Sequence, residues 1–391
     1  MSPGIPQALL SQGQHTAPAF AQRCKRLRYR QSECRICQEI CPEGAITLDP
    51  GPAVSERCTR CGLCQTACPT EVFQDEVHSD QHLLGRIGPL LRSKQRAAGG
   101  QPLIVHCREA EPQDRSAVAV PCLGSVTGNL LLGAAALGAN PLTLVHGDCS
   151  RCRLRAGEQL YATAIAAYQA LAPAVGLDAS ALQLQQRQRS DRALSARRRF
   201  LTGVASPRDH AAGGWPAPGT AAPGLSRRAA ESGTGSTPGR VLLQTLLQAL
   251  LRPGSGSPST SMSYDARLPM ASLRIDQSDC ATCGTCVNLC PTGAVTRRIE
   301  GDRLAHHFSS ALCVNCRLCE EACPQQVISF EPEFDVRDLM RRESRAITDI
   351  RLHACVFCGD MLPEREGRFC ITCQRRGRVE SHVPGAAAGI G

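Results

Sequence analysis

The chain has 391 residues, room for two to four domains, yet only 3% are aromatic, which excludes one large, densely filled core and favours small units held by inorganic staples. Its 24 cysteines fall almost entirely in Cys-x2-Cys groups, which points to metal in a reducing compartment rather than to secreted disulfides. The formal charge of +9 belongs to the chain without metals. Six four-thiolate centres at about −2 each would bring it near neutral, so the arginine excess alone does not argue for nucleic acid.

Residues 1–23 are polar and small, a flexible lead-in without the charged start and apolar core of an export signal. The apolar runs 130–137 and 241–251 are too short to span a bilayer. Residues 195–201 look like a twin-arginine motif, but it is internal and no apolar segment follows. The expected location is the cytoplasm, with no membrane span.

From Cys24 the cysteines set the organisation. Cys34-x2-Cys37-x3-Cys41-Pro42 and Cys58-x2-Cys61-x2-Cys64-x3-Cys68-Pro69 come first; Cys280-x2-Cys283-x2-Cys286-x3-Cys290-Pro291 and Cys313-x2-Cys316-x2-Cys319-x3-Cys323-Pro324 come later. Three closely spaced thiolates wrap one cube, while the fourth, held out by the proline turn, reaches the cube of the other half. The first run lacks its opening cysteine, where Gln31 stands, and Cys24 is the available substitute across the basic loop 25–30. After each proline a tight turn leads into a short apolar strand, so one half-unit occurs four times.

Over residues 24–76 and 274–332, within expected domains 24–80 and 270–332, the chain resembles bacterial-type two-cluster ferredoxins. The resemblance implies four [4Fe–4S] clusters. Cys24, Cys34, Cys37 and Cys68 would hold the first, and Cys41, Cys58, Cys61 and Cys64 the second. Cys280, Cys283, Cys286 and Cys323 would hold the third, and Cys290, Cys313, Cys316 and Cys319 the fourth.

Residues 100–184 read as a small α/β unit with a mostly parallel sheet. Strand-like runs at 103–105, 117–120 and 142–145 alternate with helical segments 126–138 and 157–175. Cys107, Cys122, Cys149 and Cys152 follow the three strands, so their loops share the carboxyl edge of the sheet, where ligand sites form. The stretches P-C-L-G-S at 121–125 and L-T-L-V-H-G-D-C at 142–149 are similar to the iron–sulfur delta subunit of methyl-viologen-reducing hydrogenases, which hands electrons to heterodisulfide reductase. That resemblance implies a [2Fe–2S] cluster on these four cysteines. The family's second cysteine after the first strand is missing here, and Cys152 adds a Cys-x2-Cys at the other end.

Residues 185–265 read as a flexible linker, Arg-rich and then Gly/Pro/Ala/Ser-rich around Trp215 and at 253–263, with one amphipathic helix over 241–251 that docks within the chain. A charged helix is expected over 333–346. Cys355-x2-Cys358 and Cys370-x2-Cys373, read as two knuckles on short hairpins, suit a zinc-ribbon-like module over 350–380, in which Pro363 and Gly367 shape the turning loop; a fifth iron–sulfur centre or a rubredoxin-like iron site is the alternative.

The expected class is α+β: two dicluster domains flanking the α/β unit, with a C-terminal zinc ribbon. These assignments use all 24 cysteines and leave no catalytic thiol. No dinucleotide fingerprint, phosphate-binding loop or His-Glu-x-x-His is present, and His306 and His307 read as surface residues. The expectation is an electron-transfer subunit, not an enzyme on its own. It would have no small-molecule substrate, and its partner would be a hydrogenase, formate dehydrogenase or heterodisulfide-reductase type of enzyme. The alternative is a maturation or redox-sensing partner of such an enzyme, docking through the ribbon.

Overall fold

The computed structural model describes residues 20–75, 78–93, 100–110, 117–188, 235–251, 260–341, 343–364 and 367–375. The lead-in before Phe20, the twin-arginine-like motif, Trp215 and the Gly/Ser stretch 253–259 lie outside the described residues.

The first cysteine-rich unit is built from turns. Its elements are the short helices α1 (Lys25–Arg28), α2 (Ile36–Glu39) and α3 (Leu63–Ala67) and the two-residue antiparallel strands β1 (Ile46–Thr47) and β2 (Ala53–Val54). Its buried apolar cluster is Cys24, Cys37, Ile46, Leu48, Val72 and Phe73. So few side chains do not outweigh the entropy of ordering the chain, which is the situation in which small units rely on metal staples.

Helix α4 (Asp80–Ser93), a run without its own prediction, buries Leu83 and Ile87 against the middle unit. That unit has a four-stranded, wholly parallel sheet in the order β4-β3-β5-β6: Val118–Val120, Gln101–Cys107, Ala139–His146 and Leu182–Gln186. Helices α5 (Gly128–Ala136) and α6 (Gly157–Ala174) supply its crossovers. The sheet needs β6 to cover Leu142 and Leu144, so the unit runs past residue 184 into the segment read as linker.

At the start of α4 the Thr127 hydroxyl donates to Asp80 Oδ2 at 2.7 Å, and its oxygen accepts the Leu130 N–H that caps α5. Asp80 borders a cavity and is partly exposed, but burial of its carboxyl pushes the pKa up to about 7. An acid whose folded pKa is raised binds more protons folded than unfolded. Stability from this group is therefore fullest below about pH 4 and falls until about pH 7. Asp80→Asn should melt above the native chain, by a margin that widens between about pH 4 and 7 and is constant above, reaching roughly 2 kcal/mol after allowing for cavity water. A pH-independent difference in thermal unfolding would count against it.

Helix α7 (Pro238–Leu250) opens on Pro238 behind the Thr237 cap and turns Leu243 and Leu247, one turn apart, inward. They pack between Leu132, Ala167 and Leu171 of the middle unit and Met262, Met270 and Val336 of the second cysteine-rich unit. The expected docking within the chain is thus a shared core, and residues 235–251 and 260–265 are not linker.

In the second unit β8 (Leu273–Ile275) pairs with β11 (Ile328–Phe330), and β7 (Ser261–Ser263) with β12 (Glu333–Asp335). The hairpin β9 (Val295–Glu300) and β10 (Arg303–Phe308) joins β13 (Arg345–Ala346), β14 (Ile350–Ala354) and β15 (Met361–Pro363) in a five-stranded antiparallel sheet. Helices α8 (Thr285–Leu289) and α9 (Leu318–Glu321) lie within the two cysteine runs and carry Cys286 and Cys319, and α10 (Ile371–Arg375) ends the described chain.

The helix expected over 333–346 is corrected. The segment is β12, a 3-10 turn (Val336–Leu339) and β13. Phe334, Val336 and Leu339 must all reach the core shared with α7, and the Asp335 carboxylate caps the turn by accepting the Arg337 N–H. Tertiary burial overrides the local charge pattern. Among the described residues no helix is long and apolar enough to cross a membrane.

Candidate iron–sulfur and metal centres

The four half-units share a backbone signature. The third residue after each Cys that precedes proline is left-handed: Gly44, Glu71, Gly293 and Gln326, at φ 54°, 52°, 71° and 55°. That turn aims the next backbone N–H back at the cysteine: Ala45 N to Cys41 Sγ at 3.3 Å, Val72 N to Cys68 Sγ at 3.5 Å and Ala294 N to Cys290 Sγ at 3.2 Å. In the three intact runs the residue before the second cysteine is left-handed too, at Arg60, Thr282 and Asn315. A side chain in that region is strained, and it persists where the surroundings over-determine the turn.

The thiols gather in fours. One cavity is lined by Cys24, Cys34, Cys37 and Cys68, and another by Cys41, Cys58, Cys61 and Cys64. A third is lined by Cys280, Cys283, Cys286 and Cys323. Cys319 is grouped with Cys313, Cys316 and Cys290, and feels Cys286 of the third group more weakly. The second and first groups adjoin, because Cys64 senses Cys37 as well as its own set. Gln31, at the place of the missing cysteine, is exposed and its Oε1 accepts the Tyr29 hydroxyl at 2.6 Å.

Burial and neighbouring thiols push Cys37, Cys286 and Cys316 up to about 12 and Cys313 up to about 11. Without metal these thiols stay protonated, so metal must displace protons to bind, and its affinity rises with pH.

His306 is corrected from a surface residue to a fully buried one. The period-2 alternation of β10 sends Leu304, His306 and Phe308 inward. His306 Nδ1 lies 2.9 Å from Thr348 Oγ1, while its Nε2, in the wall of the third cavity, has no partner. Beside a group of thiolates such an orphaned nitrogen fits a cluster whose sulfurs accept hydrogen bonds. No property of the sequence marked it except its place two residues from Leu304 and Phe308.

In the middle unit the register pairs Cys107 of β3 with Val120 of β4, bringing the three strand-end loops to one edge. Cys122 there feels Cys107, Cys152 and Cys149, and burial pushes its thiol up to about 12. Each loop also aims an N–H at sulfur: Gly147 to Cys107 at 3.4 Å, Gly124 to Cys122 at 3.3 Å and Leu154 to Cys152 at 3.3 Å. Tyr161 and His146, which sequence reasoning missed, lie 3.9 and 3.6 Å from Cys149 Sγ. Leu63, next to Cys64, packs on this edge, so the second group adjoins it.

At the C-terminal end the thiols of Cys355, Cys358, Cys370 and Cys373 all lie within 4.8 Å of one another. Tetrahedral bonds of about 2.3 Å to one zinc ion put thiolates roughly 3.8 Å apart, so this set suits a single ion and is too tight to enclose a four-iron cube. Backbone N–H groups of Cys358 and Cys370 pull Cys355 down to about 6. The geometry differs from the expected pair of hairpins: Pro363 lies in β15, and the second Cys-x2-Cys leads into α10.

Two stretches, residues 32–72 and 272–324, match the 4Fe-4S dicluster domain family. The chain is 29% identical over 118 residues to the C subunit of the ferredoxin:CoB-CoM heterodisulfide reductase of Methanosarcina mazei, covering 26% of this chain and 71% of that protein. It is 29% identical over 101 residues to the C subunit of the ferredoxin/F(420)H(2)-dependent CoB-CoM heterodisulfide reductase of Methanosarcina acetivorans, covering 23% and 63%. It is 38% identical over 63 residues to an uncharacterized ferredoxin of Methanocaldococcus jannaschii, covering 16% of this chain and 97% of that one.

Proposed function

Because this chain belongs to the ferredoxins, through two 4Fe-4S dicluster domains, we propose that it relays electrons to or from a redox enzyme of the hydrogenase, formate dehydrogenase or heterodisulfide-reductase type. The observation that carries this reading is the gathering of sixteen cysteines into four groups of four, with the two groups of each domain close enough for their thiols to influence one another.

A [4Fe–4S] cluster supplies one-electron chemistry when bound. The holding sets we assign are Cys24, Cys34, Cys37 and Cys68; Cys41, Cys58, Cys61 and Cys64; Cys280, Cys283, Cys286 and Cys323; and Cys290, Cys313, Cys316 and Cys319. The protein's part is to fix the thiolates, exclude water and donate N–H groups to sulfur, which stabilises added negative charge. With every site closed by four thiolates, no position is left for a substrate.

For the middle unit the proposal is a [2Fe–2S] cluster on Cys107, Cys122, Cys149 and Cys152, a donor set of four convergent thiols with backbone N–H partners. For the C-terminal module it is structural zinc on Cys355, Cys358, Cys370 and Cys373, supported by the mutual closeness of the thiols. The exposed side chains of Val356 and Phe357 beside that site favour a docking role for the module.

Anaerobic purification, metal analysis and electron paramagnetic resonance test all three. About sixteen irons with reducible [4Fe–4S] signals are expected, plus about two more for the middle site and one zinc. Cys355→Ser with Cys370→Ser should release the zinc and no iron; loss of iron would overturn the zinc assignment. A native chain without reducible signals would overturn the relay.

A further inference from the structure

The first and fourth cysteine groups face one another across the seam between the two dicluster domains. Helix α1, which begins after Cys24, docks on the second domain: Arg28 Nε donates to the Leu289 carbonyl at 2.8 Å and its Nη2 to the Asn288 carbonyl at 2.9 Å. Lys25 reaches Glu321 at 2.6 Å, and Glu321 lies between Cys319 and Cys323.

Three cations line this seam. Arg23 precedes Cys24 and is 2% exposed; Lys25 follows it; Arg240, from the first turn of α7, is 3% exposed and donates to the carbonyls of Pro269 and Cys313. The ammonium of Lys25 also acts on the Cys316 thiol. Two carboxylates oppose them. Glu71 accepts from the Thr237 hydroxyl at 2.6 Å and the Gly239 N–H at 2.9 Å and attracts both arginines; Glu321 holds Lys25. Among these five groups one positive charge is left over, Arg28 being spent on its two carbonyls, and Nε and Nη1 of both Arg23 and Arg240 are buried without a hydrogen-bond partner. A buried guanidinium so poorly matched is costly unless negative charge lies close by. Four thiolates on either side are that charge.

We propose that Arg23, Lys25 and Arg240 form an electropositive seam that raises the reduction potential of the first and fourth sites. This rests on the electron-transfer reading and adds to it a charge that tunes the two sites at the seam. Positive charge stabilises the added electron, and net charge around a cluster is one of the levers on its potential. An added electron is then favoured at the junction of the domains, where Cys24 takes the place of the missing first cysteine beside the helix that holds Lys25 and Arg28. The rewired copy is the one that carries the docking cations.

The test uses the full chain with Lys25→Gln and Glu321→Gln, each titrated with dithionite, a one-electron donor to each site, and followed by electron paramagnetic resonance, with iron counted on the same samples. Lys25→Gln should make one of the four signals about tenfold less reduced at a fixed poise, about 59 mV for one electron. Glu321→Gln, which leaves Lys25 unopposed, should shift the same signal the other way. Opposite shifts at unchanged iron support the seam. Shifts of one sign in both variants, as a loosened interface would give, or no shift in either, overturn it. These two side chains are partly exposed, so both variants fold where a change at Arg240 need not. A native chain with full iron but no reducible signal overturns the electron-transfer reading itself, and the seam with it.

Discussion

Replacing Cys24 by Ser is expected to remove about four irons per chain and leave the clusters proposed for the other three groups in place. Cys24 is 9% exposed, caps a helix of one turn, and shares a cavity with Cys34, Cys37 and Cys68. Gln31 cannot take its part, since that side chain is exposed and engaged by Tyr29. The loss should spread to the seam. With the cap unanchored, Lys25 and Arg28 no longer hold their partners, so the stretch 25–30 should become the first site of limited proteolysis. Iron content and one missing reducible signal are the readouts. An unchanged iron count would show that the first site is closed by some other group.

The second large effect is expected at Gly124, where the first dicluster domain meets the middle unit. A methyl group there would lie 2.5 Å from the Gly157 Cα and 2.7 Å from Leu63 Cδ2, and one on Gly157 would lie 2.6 Å from Cys122 Sγ. Backbone meets backbone, so nothing flexible can give way. Gly124→Ala should destabilise the chain by about 3 kcal/mol or more and disturb the metal proposed for the middle site before that of the second domain. Gly85→Ala is the matched control. Nothing lies within 4 Å of the added methyl, and the position is interior to α4, so a gain of about 0.5–1 kcal/mol is expected. Denaturant midpoints of the two variants should move in opposite directions. Equal losses would mean that the crossing is looser than its distances imply.

Most of the chemistry is legible because it is written in spacing. Cys-x2-Cys-x2-Cys-x3-Cys-Pro is a local constraint: the turns it needs are set within a few residues, and the left-handed Gly44 and Gly293 occupy places where glycine is the ordinary choice. The parallel sheet is legible for a similar reason, since short apolar runs separated by helices pack in one way. What sequence reasoning misreads depends on distant partners. The segment 333–346 looks like a charged helix because Phe334, Val336 and Leu339 do not reveal that α7 packs against them. His306 looks exposed because it is itself polar and stands beside a second histidine, while its neighbours in space are Thr348 and the third cavity. Residues 235–251 look like an island in a linker because the two surfaces they join are far from each other in sequence.

By itself, then, the sequence determined that this is a ferredoxin-type chain with two dicluster domains, since cluster ligation needs only short-range geometry. The tertiary structure decided that the two domains are joined through α7 and the helix after Cys24 into one arrangement. It also decided that buried charges sit between the first and fourth sites. The reason is physical: desolvation and charge pairing depend on what lies within a few ångströms in space, and Arg23, Glu71 and Arg240 come together only when three separate stretches of chain have packed.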